Sequence, residues 1–326
     1  MDILNSQNLR READRTLKRG REPKKAVFVY AAVSLALSLI STLLSYWFGS
    51  QISDRGGLSN LGTRAIYETA QSVTPMIASY VAMCLELGFL GAMMRISRGQ
   101  YADHTDLKVG FRKFWPLLRL VLIQSCIYFA VAFVSAQLGS MLFLMTPWAE
   151  PLTEVLAPMV ASGTVVMDEA TMMQAMQYMG PMFAVVGVVF LAGLIPVLHR
   201  LRMANFCLLD DPQGSAMAAV RTSSRMMRRR FLPMLKVDLS LWVYYLATAA
   251  VMLVMNLDLI LGFMGIPLPE NALVVSFGLY AVALVMQFAV TVLLRPRVEL
   301  TYLAAYEKLL EKPKSSGVVL GNIFDM

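Results

Sequence analysis

Runs of about 20 or more apolar residues, separated by short charged segments, leave a chain like this few ways to fold. Bilayer hydrocarbon holds no water, so every backbone N–H and C=O there must be satisfied within its own segment. Each run therefore reads as a helix. Spans are expected at 26–48, 73–94, 116–146, 181–203, 237–261 and 272–294. The third is longer than a bilayer needs, so it should tilt or extend beyond the membrane. The expected fold is all-α, a polytopic transmembrane bundle of six spans with interfacial amphipathic helices. Composition agrees: 57% of the 326 residues are hydrophobic and only 16% charged, against about a quarter charged in a soluble domain.

Lys and Arg divide unevenly among the segments that join the spans. Residues 1–25 hold eight, 95–113 five, 195–236 eight and 295–326 five, whereas 49–72 holds two and 147–180 and 262–271 hold none. The remaining one, Arg119, lies in the third span. This asymmetry places the basic segments, and with them both termini, in the cytoplasm. An even number of spans agrees. The organisation expected is a basic cytoplasmic segment over 1–25, a membrane domain over 26–311 and a short cytoplasmic tail over 312–326, disordered after Pro313. The first apolar run is too long for the core of a cleaved signal peptide, so it reads as a signal anchor. The net charge of +7 follows from these flanks. No basic domain with interleaved aromatics occurs of the kind that binds nucleic acid, and no nucleic-acid partner is expected.

Two junctions echo each other. "RKFWPLLRLVL" (112–122) aligns without a gap on "RRFLPMLKVDL" (229–239), both reading basic-basic-Phe-x-Pro-x-Leu-basic-x-x-Leu. Each proline suits the first turn of the next helix, where its missing donor costs little. Arg119 and Lys236 fall one turn further in, able to snorkel back to lipid headgroups. The echo points to a duplicated unit of interfacial helix plus two-span hairpin, with "REPKKAVFVY" (21–30) as a weaker copy. Before the second junction, "DDPQGS" (210–215) reads as a turn with Ser215 as the N-cap of a helix. On that helix Arg221, Arg225, Arg228 and Arg229 share one face, and Met217, Val220, Met227 and Phe231 the neighbouring one. Such a helix is expected to lie in the interface, apolar face down, arginines on anionic headgroups. Each such residue contributes about 1 kcal/mol near an acidic leaflet. Segment 295–311 reads as a further amphipathic helix, apolar at Val298, Leu300, Tyr302, Leu303, Tyr306, Leu309 and Leu310.

Three blocks resemble a known family. "LELGFLGAMMRISRGQYADHTDLKVGFRKFWPLL" (85–118), "IPVLHRLRMANFCLLDDPQGSAMAAVRTSSRMMRRRFLPMLKVDLSLW" (195–242) and "YLAAYEKL" (302–309) are similar to segments of the bacterial integral membrane proteins of domain-of-unknown-function family 975. The chain departs from that pattern at Arg229 and Arg230 and after Leu241, and 147–180 lies outside the resemblance. The resemblance implies a six-helix bacterial plasma-membrane protein and no particular reaction.

Motifs for catalysis are missing. His104 and His199 lack a second ligand at metal-binding spacing, and HExxH, GxxxxGK[ST] and Gly-x-Ser-x-Gly do not occur. Ser223 and Ser224 sit among arginines without a base, so they read as part of a surface helix. Cys84, Cys126 and Cys207 stand apart inside apolar stretches and read as small buried hydrophobes. No cofactor and no metal site is expected. The Met-rich stretch 167–182 offers soft thioethers. Methionine is the general apolar filler of this chain, with 24 in all, so a short outer helix capped by Asp168 and packed on the bundle is expected instead. One carboxylate stands out: Glu86, about 13 residues into the second span, is a functional candidate by position. Asp258, near the outer end of the fifth span, is expected to be wetted. The first expectation is a non-enzymatic protein holding anionic phospholipid or a membrane-protein partner through Arg221, Arg225, Arg228, Arg229, Arg119 and Lys236. The alternative is a small-solute permease using Glu86, which a polar cavity reaching Glu86 would favour.

Overall fold

A computed structural model describes residues 4–19, 23–54, 61–162, 169–211, 214–228, 230–257, 260–261 and 272–315. Among them every regular element is helical. In chain order these are α1 (Ser6–Arg19), α2 (Pro23–Asp54), α3 (Leu61–Ser97), a 3-10 turn (His104–Lys108), α4 (Val109–Arg112), α5 (Phe114–Leu144), α6 (Ala149–Ser162) and α7 (Glu169–Leu201). They continue with α8 (Ala204–Asp210), α9 (Ala216–Met227), α10 (Phe231–Ser240), α11 (Trp242–Met255), α12 (Ala272–Leu293) and α13 (Arg295–Ser315). Four helices are long and apolar enough to cross a membrane, or up to six if the bent pairs α10–α11 and α12–α13 each count as one. The helices are those of a membrane protein.

The long helices outrun the apolar segments that identify them. α2 begins at Pro23, where a proline's fixed φ suits the first helical position. α5 and α10 both open on the phenylalanine of the shared motif, with Pro116 and Pro233 in the first turn as expected. α3 and α7 run unbroken through Pro75, Pro181 and Pro196. The expected unbroken fifth span is not observed: α10 and α11 meet at Leu241 with a bend of 69°. α12 bends by 43° into α13.

Chain contacts define two compact units, Met1–Leu117 with Leu232–Met326, and Leu118–Phe231. In the first unit α2 packs along α3, α11 along α12, and α1 on α13. Residues 1–25, expected only as a basic flank, thus contain a docked helix. Leu9 and Ala13 of α1 are fully buried, as are Leu303 and Tyr306 of α13. Arg297 donates to Asp14 at 2.6 Å, Lys308 pairs with Glu12 at 2.8 Å, and Arg10 donates to the Ser240 carbonyl at 2.9 Å. In the segment 295–311 the apolar side packs within the protein, against α1 and α3, and the helix extends to Ser315, past Pro313. The tail beyond, 316–326, lies outside the described residues. The loop after α3 folds back on it. A Cβ on Gly88 would come within 2.1 Å of the Leu107 carbonyl oxygen, and one on Gly110 within 1.7 Å of that of Cys84. Only glycine permits this backbone contact. Asp106 anchors the loop, accepting from Arg95 at 2.7 Å and from the Asp103 amide at 2.9 Å.

In the second unit α8 and α9 pack together and α9 lies on α7. Ser215 caps α9 as expected, its hydroxyl accepting from the Ala218 amide at 3.2 Å. The inner side of α9 is Ala216, Ala219, Val220, Ser223 and Met227, all buried in protein. Of the residues expected on its apolar face, Val220 and Met227 are buried within the protein, whereas Met217 is exposed. Ser223, expected at the surface, is corrected. It is wholly buried, donates to the Arg200 carbonyl at 2.7 Å and accepts from the Met203 amide at 3.2 Å, clipping α9 to the turn after α7. The Met-rich stretch is no separate short helix but opens α7, where Met179 and Met182 pack on Phe143, Ala149 and Leu152. Asp168 and Met167 lie outside the described residues, as does Asp258. Cys84 and Cys207 are buried as expected, whereas Cys126 is exposed, which corrects its reading as a buried hydrophobe.

Candidate functional site

Glu86 is not a lone carboxylate. Its Oε1 accepts from Arg295 Nη2 at 2.6 Å. Arg295 opens α13 just past the bend, which swings it towards α3, and its Nε also lies 3.6 Å from Glu299 Oε1, one turn on. Beneath the guanidinium lies an aromatic pair. Tyr30 of α2 and Phe89 of α3 stack at 4.5 Å, and the Arg295 carbon sits 5.3 and 5.9 Å from the two ring centroids. Cation–π attraction of this kind adds about 0.5–2 kcal/mol, so arginine is held from below as well as by its carboxylates.

This ion pair forms one end of a cavity of about 340 Å³ lined by α2, α3, α11, α12 and Arg295. Polar groups reach it from Ser34, Ser38, Gln287 and Thr291, and apolar walls come from Leu35, Met252, Met255, Leu284 and Phe288. A second groove of about 210 Å³ shares Ser34, Ser38 and Ala82 with it and continues past Ser41, Thr42, Pro75 and Ser79. The Tyr280 hydroxyl bridges towards both Ser38, at 3.2 Å, and Thr42. Helical spacing explains the lining. Tyr30, Ser34, Ser38 and Thr42 recur every fourth residue on α2, Ala78, Ala82 and Glu86 on α3, and Gln287 and Thr291 at the end of α12, with Arg295 four further on at the start of α13. Residues four apart share one helix face.

The sequence singles out Glu86 but not Arg295, which there is simply the first residue of the amphipathic segment 295–311. The signal that would have found it is the Gln287-x-x-x-Thr291-x-x-x-Arg295 ladder. Pairing it with Glu86 from sequence would still have required knowing which helices touch. Glu86 also sits level with the basic loop, because Gly88, half a turn on, abuts the Leu107 backbone.

The expected lipid contacts are dispersed. Arg221, Arg225 and Arg228 are exposed along α9 and its C-cap, and among the described residues none pairs with a carboxylate. Arg229 lies outside the described residues. Arg119 and Lys236 are both exposed one turn after their prolines. His199 is buried, its ring edge-on to Phe231 at 5.0 Å. His104 lies 2.6 Å from the Asp103 carboxylate, and the backbone amide of His104 is the main cause holding that carboxyl below its ordinary range. Among the described residues no group of three His, Cys, Asp or Glu side chains is placed to hold a metal ion. Comparison of the chain with protein-family models, with curated proteins and with solved structures finds no match.

Proposed function

We propose that this is a non-enzymatic, six-span membrane protein that binds a small solute in the Glu86–Arg295 cavity and acts as a permease. The observation that carries the reading is that cavity: about 340 Å³, polar at one end, apolar along its walls and bounded by two bent helix pairs. Its size is that of a small-molecule site. Helices interrupted beside a polar site are the construction by which transporters expose backbone and charge to a solute. The ion pair stands at the inner, cytoplasmic end of the spans in this reading, since Glu86 is level with the loop that carries Lys108 and Arg112. Both termini are cytoplasmic, which the distribution of Lys and Arg supports and the docking of α1 on α13 accommodates. The resemblance to family 975 supports a bacterial plasma-membrane location.

The test has two arms. Cysteines introduced at Val155 and Ser224 should react with an impermeant reagent in intact cells and only in inverted vesicles, respectively; the reverse pattern would overturn the topology. The purified chain dialysed against a metabolite extract should retain a small molecule that the cavity-filling Ala82→Phe variant does not. Equal retention by both would remove the cavity from the function.

A second reading rests on a separate observation, the exposed Arg221, Arg225 and Arg228, none of which pairs with a carboxylate among the described residues. These arginines, with Arg119 and Lys236, contact anionic phospholipid headgroups, whose charge complements theirs.

A further inference from the structure

Hydroxyl groups on the apolar helices find their hydrogen bonds in two ways. Thr69 and Ser72 of α3, Thr248 of α11 and Thr291 of α12 donate to the backbone carbonyl four residues back, at 2.6 to 2.9 Å. Most hydroxyls that line the smaller groove behave otherwise. Ser38 and Thr42 reach across to the Tyr280 hydroxyl. Ser41 and Ser79 line the same groove, and among the described residues neither makes a hydrogen bond. A hydroxyl without a partner is costly away from bulk water, so this wall has hydrogen bonds to give and to accept. From Ser34 to Thr42 it runs along about 12 Å of α2 at the helical rise.

The wall contributed by α11 and α12 is mainly apolar, with Val251, Met252 and Met255 from one and Leu284 and Phe288 from the other. A ligand that fits both walls carries hydroxyls along one edge and C–H groups along another, as a sugar ring or a polyol chain does. Among the described residues the charged side chains lining the cavity are Glu86 and Arg295, already bonded to each other at 2.6 Å, and the smaller groove has none. A charged ligand would have to part this pair or sit beside it unmatched, which costs free energy in surroundings of low dielectric. A neutral ligand leaves the pair closed and the net charge of that end unchanged, whatever groups stand behind Arg295. The Glu86 side chain, 40% exposed, can still accept from a ligand hydroxyl. The volume, at the low end of the range for small-molecule sites, keeps the ligand to a single ring or a short chain.

Resting on the cavity reading above, we propose that the solute is a neutral polyhydroxylated molecule, a monosaccharide or a polyol, held by the hydroxyls of Ser38, Ser41 and Ser79 with the Glu86–Arg295 pair closed. The test uses the full chain in a polyoxyethylene detergent, which carries no sugar. It is dialysed against an equimolar mixture of glucose, sorbitol, myo-inositol, glucosamine, gluconate and leucine, and the retained compounds are measured by mass spectrometry. At least one of the first three should be retained about tenfold or more above each of the last three, because these would bury a charge without its own partner. Ser38→Ala, Ser41→Ala and Ser79→Ala together should cut that retention about fivefold or more, the value of one ordinary hydrogen bond. Ala82→Phe, which fills the space the two grooves share, should abolish it. Greater retention of glucosamine, gluconate or leucine, or retention unchanged by the triple alanine variant, would overturn the neutral assignment while leaving the cavity as a solute site. Retention that survives Ala82→Phe would remove both readings. Retention of none of the six would overturn the neutral assignment, and the cavity reading falls with it only if the metabolite extract also leaves nothing on the chain. Should the triple variant fail to fold, the ranking of the six by the unsubstituted chain decides.

Discussion

Residues 112–124 and 229–241 begin alike and end differently. Both place two basic residues before a helix that starts on phenylalanine, with proline in its first turn and an exposed cation one turn later. The first continues straight for 31 residues as α5. The second stops after 10 residues and resumes at an angle of 69°. The difference arises at two aligned positions, where Val121 and Ile123 of the first copy correspond to Asp238 and Ser240 of the second. Ser and Asp offer the backbone alternative hydrogen bonds. The Ser240 hydroxyl donates to the Val237 carbonyl at 2.6 Å, and the Leu241 amide turns back to the Asp238 carbonyl at 2.9 Å. Tertiary contacts then hold the bend. Tyr302 donates to the Asp238 carboxylate at 2.8 Å, the Tyr245 hydroxyl meets that of Tyr302, and Arg10 places a cation on the C-terminal carbonyl of α10. The same entry signal therefore leads to a straight helix or a hinge, according to two side chains and what waits to bond them.

Exchanging those side chains tests this account. Val121→Asp has the largest expected effect, because the first copy gains a carboxylate without a Tyr302 or an Arg10 to receive it. It should lower stability by about 3 kcal/mol, the cost of an acid inside a span, read as a fall in thermal midpoint in detergent. A near-neutral result would show that partners do not decide the tolerance. Asp238→Val with Ser240→Ile, the converse exchange, should cost about 2 kcal/mol because the Tyr302 hydroxyl loses its acceptor. Spin labels at Leu232 and Ala250 should then report a longer distance as α10 and α11 straighten. An unchanged distance would place the cause of the bend in packing rather than in those two side chains. The smallest effect on stability is expected for Arg221→Gln, Arg225→Gln and Arg228→Gln together, which should stay within about 0.5 kcal/mol because these side chains are exposed. Binding to anionic liposomes should weaken nonetheless. Binding that survives the triple change would reject the lipid contact.

Cations elsewhere in the chain show why position in the sequence misled. Arg10, Arg295, Arg297 and Lys308 all belong to segments that read as basic collars, yet each bonds a protein oxygen. Arg221, Arg225 and Arg228 read the same way and remain exposed. Apolar surface divides similarly. Of the most apolar windows, 44% of that in Ala65–Ser97 is buried, against 11% in Phe114–Leu144 and none in Met179–Asp210. A hydrophobic run shows that a helix wants to leave water, but not whether protein or lipid receives it, since both are equally apolar.

Much of the framework was nevertheless legible. The long helices, the prolines in the first turns of α5 and α10, the Ser215 cap and the singling out of Glu86 all follow from local rules. They depend on the length of an apolar run, on a missing amide hydrogen, or on a hydroxyl beside a helix start. The docking of α1, the burial of Ser223, the hinge at Leu241 and the bond between Glu86 and Arg295 were decided only by tertiary structure. Each joins groups distant in sequence, 209 residues apart for that last pair. Whether a charge meets a carboxylate or solvent depends on which helices pack together, and the periodicity of any one helix does not contain that information.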